Sequence, residues 1–314
     1  MFQTKETFYK TKNIMKKTNS FLFQITFSFL ILAATFLQGA SSDNNYNIKL
    51  LGSHDIVEMF GCNKKVISDR SQLERILAKA ADLAGAKKIG LISNYVSNHN
   101  SCIVLVSESH FSIHAFPLLG YAAIDVFTCG DCDNEKGIAY IKQQLQVKSN
   151  HSKKIVRGIF KQGLSCSQYN PCKNDQKGEH FIVELYGCEE VIINNEKKVE
   201  EILISAIQKI DVQVVDAVSY KFHPQGVSCI VLAENGAQIT IHTWPEISEK
   251  YCAIDILVFG DSKPDDAFAF LTKELKSKNS KVIKIPRGFS KAGISEYIDP
   301  QENLSRASAL TNKV

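Results

Sequence analysis

"GSHDIVEMFGCNKKVI" (52–67) and "GEHFIVELYGCEEVII" (178–193) are one motif written twice, 126 residues apart. Further along, "YAAIDVFTCGD" (121–131) matches "YCAIDILVFGD" (251–261), and "IVRGIF" (155–160) matches "IPRGFS" (285–290), both at an offset of 130. So small a drift in offset over two long segments marks the duplication of a whole folding unit. It divides the chain into a first repeat (48–160), a polar, turn-rich connector (161–177), a second repeat (178–290) and a polar tail (291–314).

Each repeat reads strand, helix, three strands, helix, strand. In the first, Leu73, Ile76, Leu77, Ala80 and Leu83 recur at helical spacing behind Ser71-x-x-Glu74, a capping-box pattern, and Gly85 is the stop. Val199, Ile202, Leu203, Ala206 and Ile207 repeat that spacing in the second. Later helices are expected near 134–146 and 264–276. Hairpin-spaced strands with two helices per repeat predict an α+β fold. Each repeat would be a mainly antiparallel sheet with helices on one face. The two would join about a pseudo-twofold, as an αββα-type sandwich or edge to edge.

The chain has 314 residues, 44% hydrophobic and 22% charged, an ordinary globular balance with room for two domains. Net charge is +4, and no block of Lys and Arg with interleaved aromatics gives the footprint of a nucleic-acid binder. The nine cysteines leave at least one unpaired within the chain. Cys129-Gly-Asp-Cys132 has metal or redox spacing, but no second pair accompanies it, so no zinc site is expected. At the N-terminus, Lys10, Lys12, Lys16 and Lys17 precede an apolar run, Phe21 to Leu37, and then Gly39-Ala40-Ser41-Ser42. That is the layout of a secretory signal peptide, cleaner still if translation starts at Met15; an uncleaved membrane anchor reads the same way. Either assignment sets 1–42 apart from the fold and points to export or to a membrane.

The differences between repeats carry the chemistry. Ser107-Glu108-Ser109-His110 interrupts two strand-forming runs in the first repeat, where the second has "AENGAQ" (233–238). Cys129 faces Phe259 in the comparison. In turn, "KFHPQGVSC" (221–229) and "IHTWPE" (241–246) replace "NYVSNHNSC" (94–102) and "IHAFPL" (113–118), so Gly226 and Glu246 belong to the second repeat alone. Ser101/Ser228 and His114/His242 occur in both. Complementary half-sets suggest one composite site between the repeats; drift after duplication is the plainer alternative.

At these residues the chain resembles the S-adenosylmethionine decarboxylase proenzymes, a pyruvoyl-dependent family. The resemblance rests on "SESHFSIH" (107–114), "YAAIDVFTCGD", "FHPQGVS" (222–228) and "IHTWPE", and covers about residues 48–290. Bacterial members are single-copy and dimerise, and eukaryotic members are fused duplications; this chain looks like bacterial-type sequence in the fused arrangement. The resemblance implies cleavage between Glu108 and Ser109, Ser109 becoming a pyruvoyl group that forms a Schiff base with the substrate. It implies two cleaved chains that stay associated, no metal, and a homodimer as one possible assembly. Ser228 and His242 match residues that assist processing, and a histidine is a reasonable proton carrier at neutral pH. Cys129 matches the proton donor, where an ordinary thiol would serve as acid. His114 is a weaker candidate, its place in the site being taken by His242. Phe222 matches the ring that stacks on adenine, and Glu246 the carboxylate that binds the ribose hydroxyls.

The substrate expectation depends on where the site lies. A composite site has Glu246 and suits S-adenosylmethionine. A site built within the first repeat would have Leu118 there, and arginine or ornithine would be the better substrate. A non-catalytic exported relative on the same scaffold is the reading favoured by the leader and by the altered His99-Asn100 pair.

Overall fold

The computed structural model describes residues 48–96, 99–160, 178–260 and 262–288. The leader-like segment 1–42, the connector 161–177 and the tail 291–314 lie outside the described residues. In chain order the first repeat forms β1 (Ile48–Phe60), α1 (Lys64–Ser68), α2 (Arg70–Leu83), β2 (Lys88–Val96), β3 (His99–Val106), β4 (Ser109–Phe116), β5 (Tyr121–Cys129), α3 (Asn134–Gln144) and β6 (Ser149–Phe160). The second forms β7 (Gly178–Tyr186), α4 (Glu190–Ile193), α5 (Glu196–Gln208), β8 (Val214–Lys221), β9 (Val227–Ala233), β10 (Gln238–Trp244), β11 (Tyr251–Phe259), α6 (Pro264–Glu274) and β12 (Asn279–Arg287). Sheet orders are β2-β3-β4-β5-β1-β6 and β8-β9-β10-β11-β7-β12, the same topology twice, with neighbouring strands antiparallel.

The helix pattern places α2 where the apolar spacing puts it, but its cap differs from the sequence reading. Asp69, not Ser71, caps the helix and accepts from the Gln72 N–H at 3.0 Å. Glu74 turns away to Arg70 and Ser93 instead of closing a capping box. Asp69 lies two residues earlier, at the N-cap itself, where its carboxylate meets the exposed N–H groups of the first turn; Ser71 already lies within the helix.

Strand alternation sorts side chains into three layers. From β1, Val57 and Met59 join Leu73, Leu77 and Ala80 of α2 and Ile138 and Ile141 of α3 in an outer core. Phe181, Val183 and Leu185 of β7 do the same with α5 and α6 in the second repeat. Between the sheets the apolar contacts are small and shared: Ile103 and Leu105 with Ile230 and Leu232, Ile56 and Ile155 with Ile182 and Ile285. The repeats therefore pack sheet to sheet, an αββα sandwich. Strands buried on both faces explain why β3, β5, β9 and β11 read as nearly continuous apolar runs.

The rest of the middle layer is ionic. Arg157, fully buried at the end of β6, crosses to Glu184 of the second repeat through Nε and to Asp255 Oδ1 through Nη1 at 2.8 Å. Its Nη2 donates to the carbonyls of Val183 and Ile254 at 3.1 and 3.2 Å. Arg287 crosses the other way, to Glu58 and to Asp125 at 2.8 Å. Tyr251 and Tyr121 donate to the outer oxygens of Glu184 and Glu58. His54 and His180 lie between the two aspartates, 3.3 to 3.6 Å from them. Burial alone would raise the Asp125 and Asp255 carboxyls, yet the guanidiniums of Arg287 and Arg157 hold both well below the ordinary range. Among the described residues no helix is long and apolar enough to cross a membrane.

Removing one partner leaves buried charge uncompensated. Arg157→Met should lower unfolding stability by about 3–5 kcal/mol, read as a fall in the urea midpoint; a midpoint within error of wild type would show that the crossed ion pairs do not hold the sheets together.

Candidate active site

The interruption at 107–110 is the β3–β4 turn, and it is pinned from several sides. Ser107 donates to Glu108 Oε1 at 2.6 Å, and the Lys87 N–H donates to Oε2 at 2.9 Å. The backbone carbonyl of Glu108 accepts from the Cys129 N–H at 2.9 Å. With Glu108 held, Ser109 enters β4 at φ +149°, a conformation that side-chain-bearing residues rarely adopt. Strain of this kind costs on the order of 1–3 kcal/mol and persists only where the surroundings impose it.

Beyond Ser109 a line of polar groups crosses the middle layer. Ser109 Oγ lies 3.4 Å from His110 Nδ1, which lies 3.1 Å from His242 Nε2. The two imidazoles stack at 5.4 Å, 9° from parallel. His242 Nδ1 meets Ser228 Oγ at 2.7 Å, the two residues being opposite each other in the β9–β10 ladder. Burial pushes His110 down to about 4 and His242 well below its ordinary value, so both rings rest neutral. The site is composite: nucleophile and first imidazole come from one repeat, second imidazole and second hydroxyl from the other.

Cys129 closes the same strand row from β5. Burial pushes its thiol up to about 12, with Arg157 opposing, so it is not the ordinary acid the sequence suggested; it keeps its proton throughout the neutral range. Gly52 lies opposite Cys129 in β1, where a Cβ would come within 2.7 Å of the Phe127 ring and 3.1 Å of the thiol sulfur. Any larger residue there would press on the Phe127 ring and the Thr128 carbonyl, at 2.7 Å each, before the thiol.

Continuing along β9 and β10 past Ser228 and His242 leads to Phe222 and Glu246 at one end of the second sheet. Phe222 is half-buried beside Tyr220, and its N–H is fixed to the Gly226 carbonyl at 2.9 Å. Gly226 turns at φ +102°, with the Thr243 carbonyl 3.1 Å from where a Cβ would stand. Glu246 is exposed in the β10–β11 turn, and its charge acts on Lys221, the residue before Phe222.

His114 does not join this site. It belongs to a pseudo-symmetric counterpart, where Ser101 Oγ meets its Nδ1 at 2.9 Å and Gln238 Oε1 its Nε2 at 2.9 Å. There Ala237 stands for Ser109, Gln238 for His110 and Phe259 for Cys129. His99 fills the remaining space: it stacks on Phe116 at 4.2 Å, and a Cβ on Gly236 would fall 1.9 Å from its ring. The counterpart is plugged.

Sequence reasoning assigned no role to His110 or to the Arg157 and Arg287 clusters. A signal for the clusters was present: His54/His180, Glu58/Glu184, Asp125/Asp255, Tyr121/Tyr251 and Arg157/Arg287 are identical in both repeats. His110 offered the opposite signal, being unique to the repeat with Ser109. The seven cysteines among the described residues are all free, and no three metal-binding side chains there are placed to hold an ion.

The sequence profile of the S-adenosylmethionine decarboxylase family matches the chain twice, over 53–158 and 179–288. The S-adenosylmethionine decarboxylase proenzyme of Caldicellulosiruptor saccharolyticus is 40% identical over 114 residues, 36% of this chain and 92% of its own. That of Clostridium tetani is 37% identical over 122 residues, 38% of this chain and 97% of its own. A crystal structure of the adenosylmethionine decarboxylase from Aquifex aeolicus covers 40% of this chain and 99% of its own, at 26% identity and a TM-score of 0.35. Each relative spans roughly what one repeat spans here. The chain belongs to the S-adenosylmethionine decarboxylase family, with the family's unit present twice.

The buried histidines set a pH dependence. His99 and His110 are lowered to about 4 and His114 to about 3, chiefly by burial, so the unfolded chain binds the extra protons in acid. Stability should decline as pH falls from about 6.5 toward 4, by roughly 2 kcal/mol per histidine at pH 5, with Glu184, whose carboxyl burial raises to about 7, offsetting part of the loss. Equal urea midpoints at pH 7 and pH 5 would contradict this.

Proposed function

We propose that the chain is a proenzyme that cuts itself between Glu108 and Ser109 and then decarboxylates S-adenosylmethionine. The observation that carries the reading is Ser109 itself: a strained, buried hydroxyl beside a pinned carbonyl, joined through imidazoles to the opposite repeat. Ser109 Oγ attacks the Glu108 carbonyl carbon, and the Cys129 N–H stabilises the oxyanion it creates. Scission of the C–N bond leaves an ester. Removal of the Ser109 Cα proton expels the Glu108 carboxylate, and water then replaces the freed amine, released as ammonia, to leave a pyruvoyl end at position 109.

That group supplies the electron sink for loss of CO₂, which no ordinary side chain provides. The chain's own residues do the rest. Cys129, holding its thiol proton, delivers it to the substrate α-carbon. Phe222 stacks on the adenine, and Glu246 takes the ribose hydroxyls; its presence in a composite site favours S-adenosylmethionine over arginine or ornithine. The product is an aminopropyl donor, which places the chain in spermidine synthesis. The halves stay together because β3 pairs with β4, and β1 with β5 and β6, across the cut.

Intact mass should show two chains divided before residue 109 in the wild type and one full-length chain for Ser109→Ala. Cys129→Ala should still cleave but release CO₂ from S-adenosylmethionine at least 100-fold more slowly, and Glu246→Gln should raise KM. A wild-type chain that never divides would sink the reading.

A further inference from the structure

Among the described residues, the hydrogen-bonded path from Ser109 to His242 runs through His110. We propose that His110 is the base of the self-cleavage, taking the Ser109 hydroxyl proton on an unprotonated Nδ1 that the His242 Nε2–H keeps in that tautomer. The inference rests on the self-cleavage reading and deepens it.

The geometry accounts for each proton. Two neutral imidazoles whose nitrogens face at 3.1 Å share one N–H between them. With that proton on His242 Nε2, donated to His110 Nδ1, His242 Nδ1 accepts from the Ser228 hydroxyl at 2.7 Å, the tautomer that His114 also takes against Gln238 Oε1. As the Ser109 Oγ to Glu108 carbon bond forms, the hydroxyl proton crosses 3.4 Å to the lone pair of His110 Nδ1. Positive charge ends on His110, and negative charge on the Glu108 oxygen held by the Cys129 N–H. Return of a proton along the same path to the Ser109 nitrogen, as the C–N bond breaks, leaves an ester and two neutral rings.

The plugged counterpart is a built-in control. Gln238 occupies the position of His110 and holds His114 through its amide at 2.9 Å, while His114 keeps its serine at 2.9 Å. An amide therefore suffices to seat the second histidine. What Gln238 lacks is a site that takes up a proton, and the residue before it is Ala237, with no hydroxyl proton to give. The imidazole occurs only where the nucleophile does.

The test follows cleavage of the full-length chain by intact mass during cell-free synthesis. His110→Gln copies the residue the fold already accepts at Gln238, and His110→Asn is run beside it so that a folding defect in one does not decide the outcome. Both should slow cleavage on the order of 100-fold or more with a melting temperature near that of wild type. The second arm repeats the Gln substitution in a Ser109→Cys chain, whose thiol has an ordinary pKa of about 8.5 and sheds its proton without a strong base; there the substitution should cost less than tenfold. Unchanged cleavage in both His110 variants overturns the proposal and leaves self-cleavage standing. Equal slowing with serine and thiol nucleophiles also overturns it, making His110 a positioning residue. No division of the wild-type chain overturns the underlying reading instead.

Discussion

Each buried arginine finds its counter-charges in the other repeat. Arg157 of the first reaches Glu184 and Asp255 of the second, and Arg287 of the second reaches Glu58 and Asp125 of the first. A repeat alone would present two carboxylates and one guanidinium on the face it must bury, without the geometry to pair them. Unpaired charge in such a layer is costly enough to forbid the fold. The sheets must therefore meet, in one register, and that register brings β4 of one repeat against β10 of the other. The composite site is a consequence of where the arginines must go.

Symmetry of the frame makes the asymmetry of the site informative. The ion clusters and tyrosines recur in both halves, so they serve the frame. Ser109, His110 and Cys129 occur in one half, and Ala237, Gln238 and Phe259 fill their places in the other. The composite site around Ser109 carries the strained φ and the polar line; its plugged counterpart carries stacked rings and His99. Strain and unshared polar groups are tolerated at one place because the opposite place is packed without them.

Much of this was legible in the sequence. The repeat offset decided the duplication, and apolar periodicity decided element order and helix faces, because both depend on local chemistry. The capping carboxylate of α2 is not legible locally, because Ser71 and Asp69 both satisfy the capping rules and only the path of the chain chooses between them. Ser109, Cys129, Ser228 and His242 were legible because they differ between repeats, or persist, against a common background.

What the sequence by itself determined was which residues the two repeats do not share and that these half-sets are complementary. Only the tertiary structure decided which partners meet: His242 and not His114 lies on the Ser109 side, against His110, and burial pushes the Cys129 thiol up to about 12. The physical reason is the same in each case. Pairing across two sheets, and the desolvation that follows, arise from residues more than a hundred positions apart, and no local pattern records them.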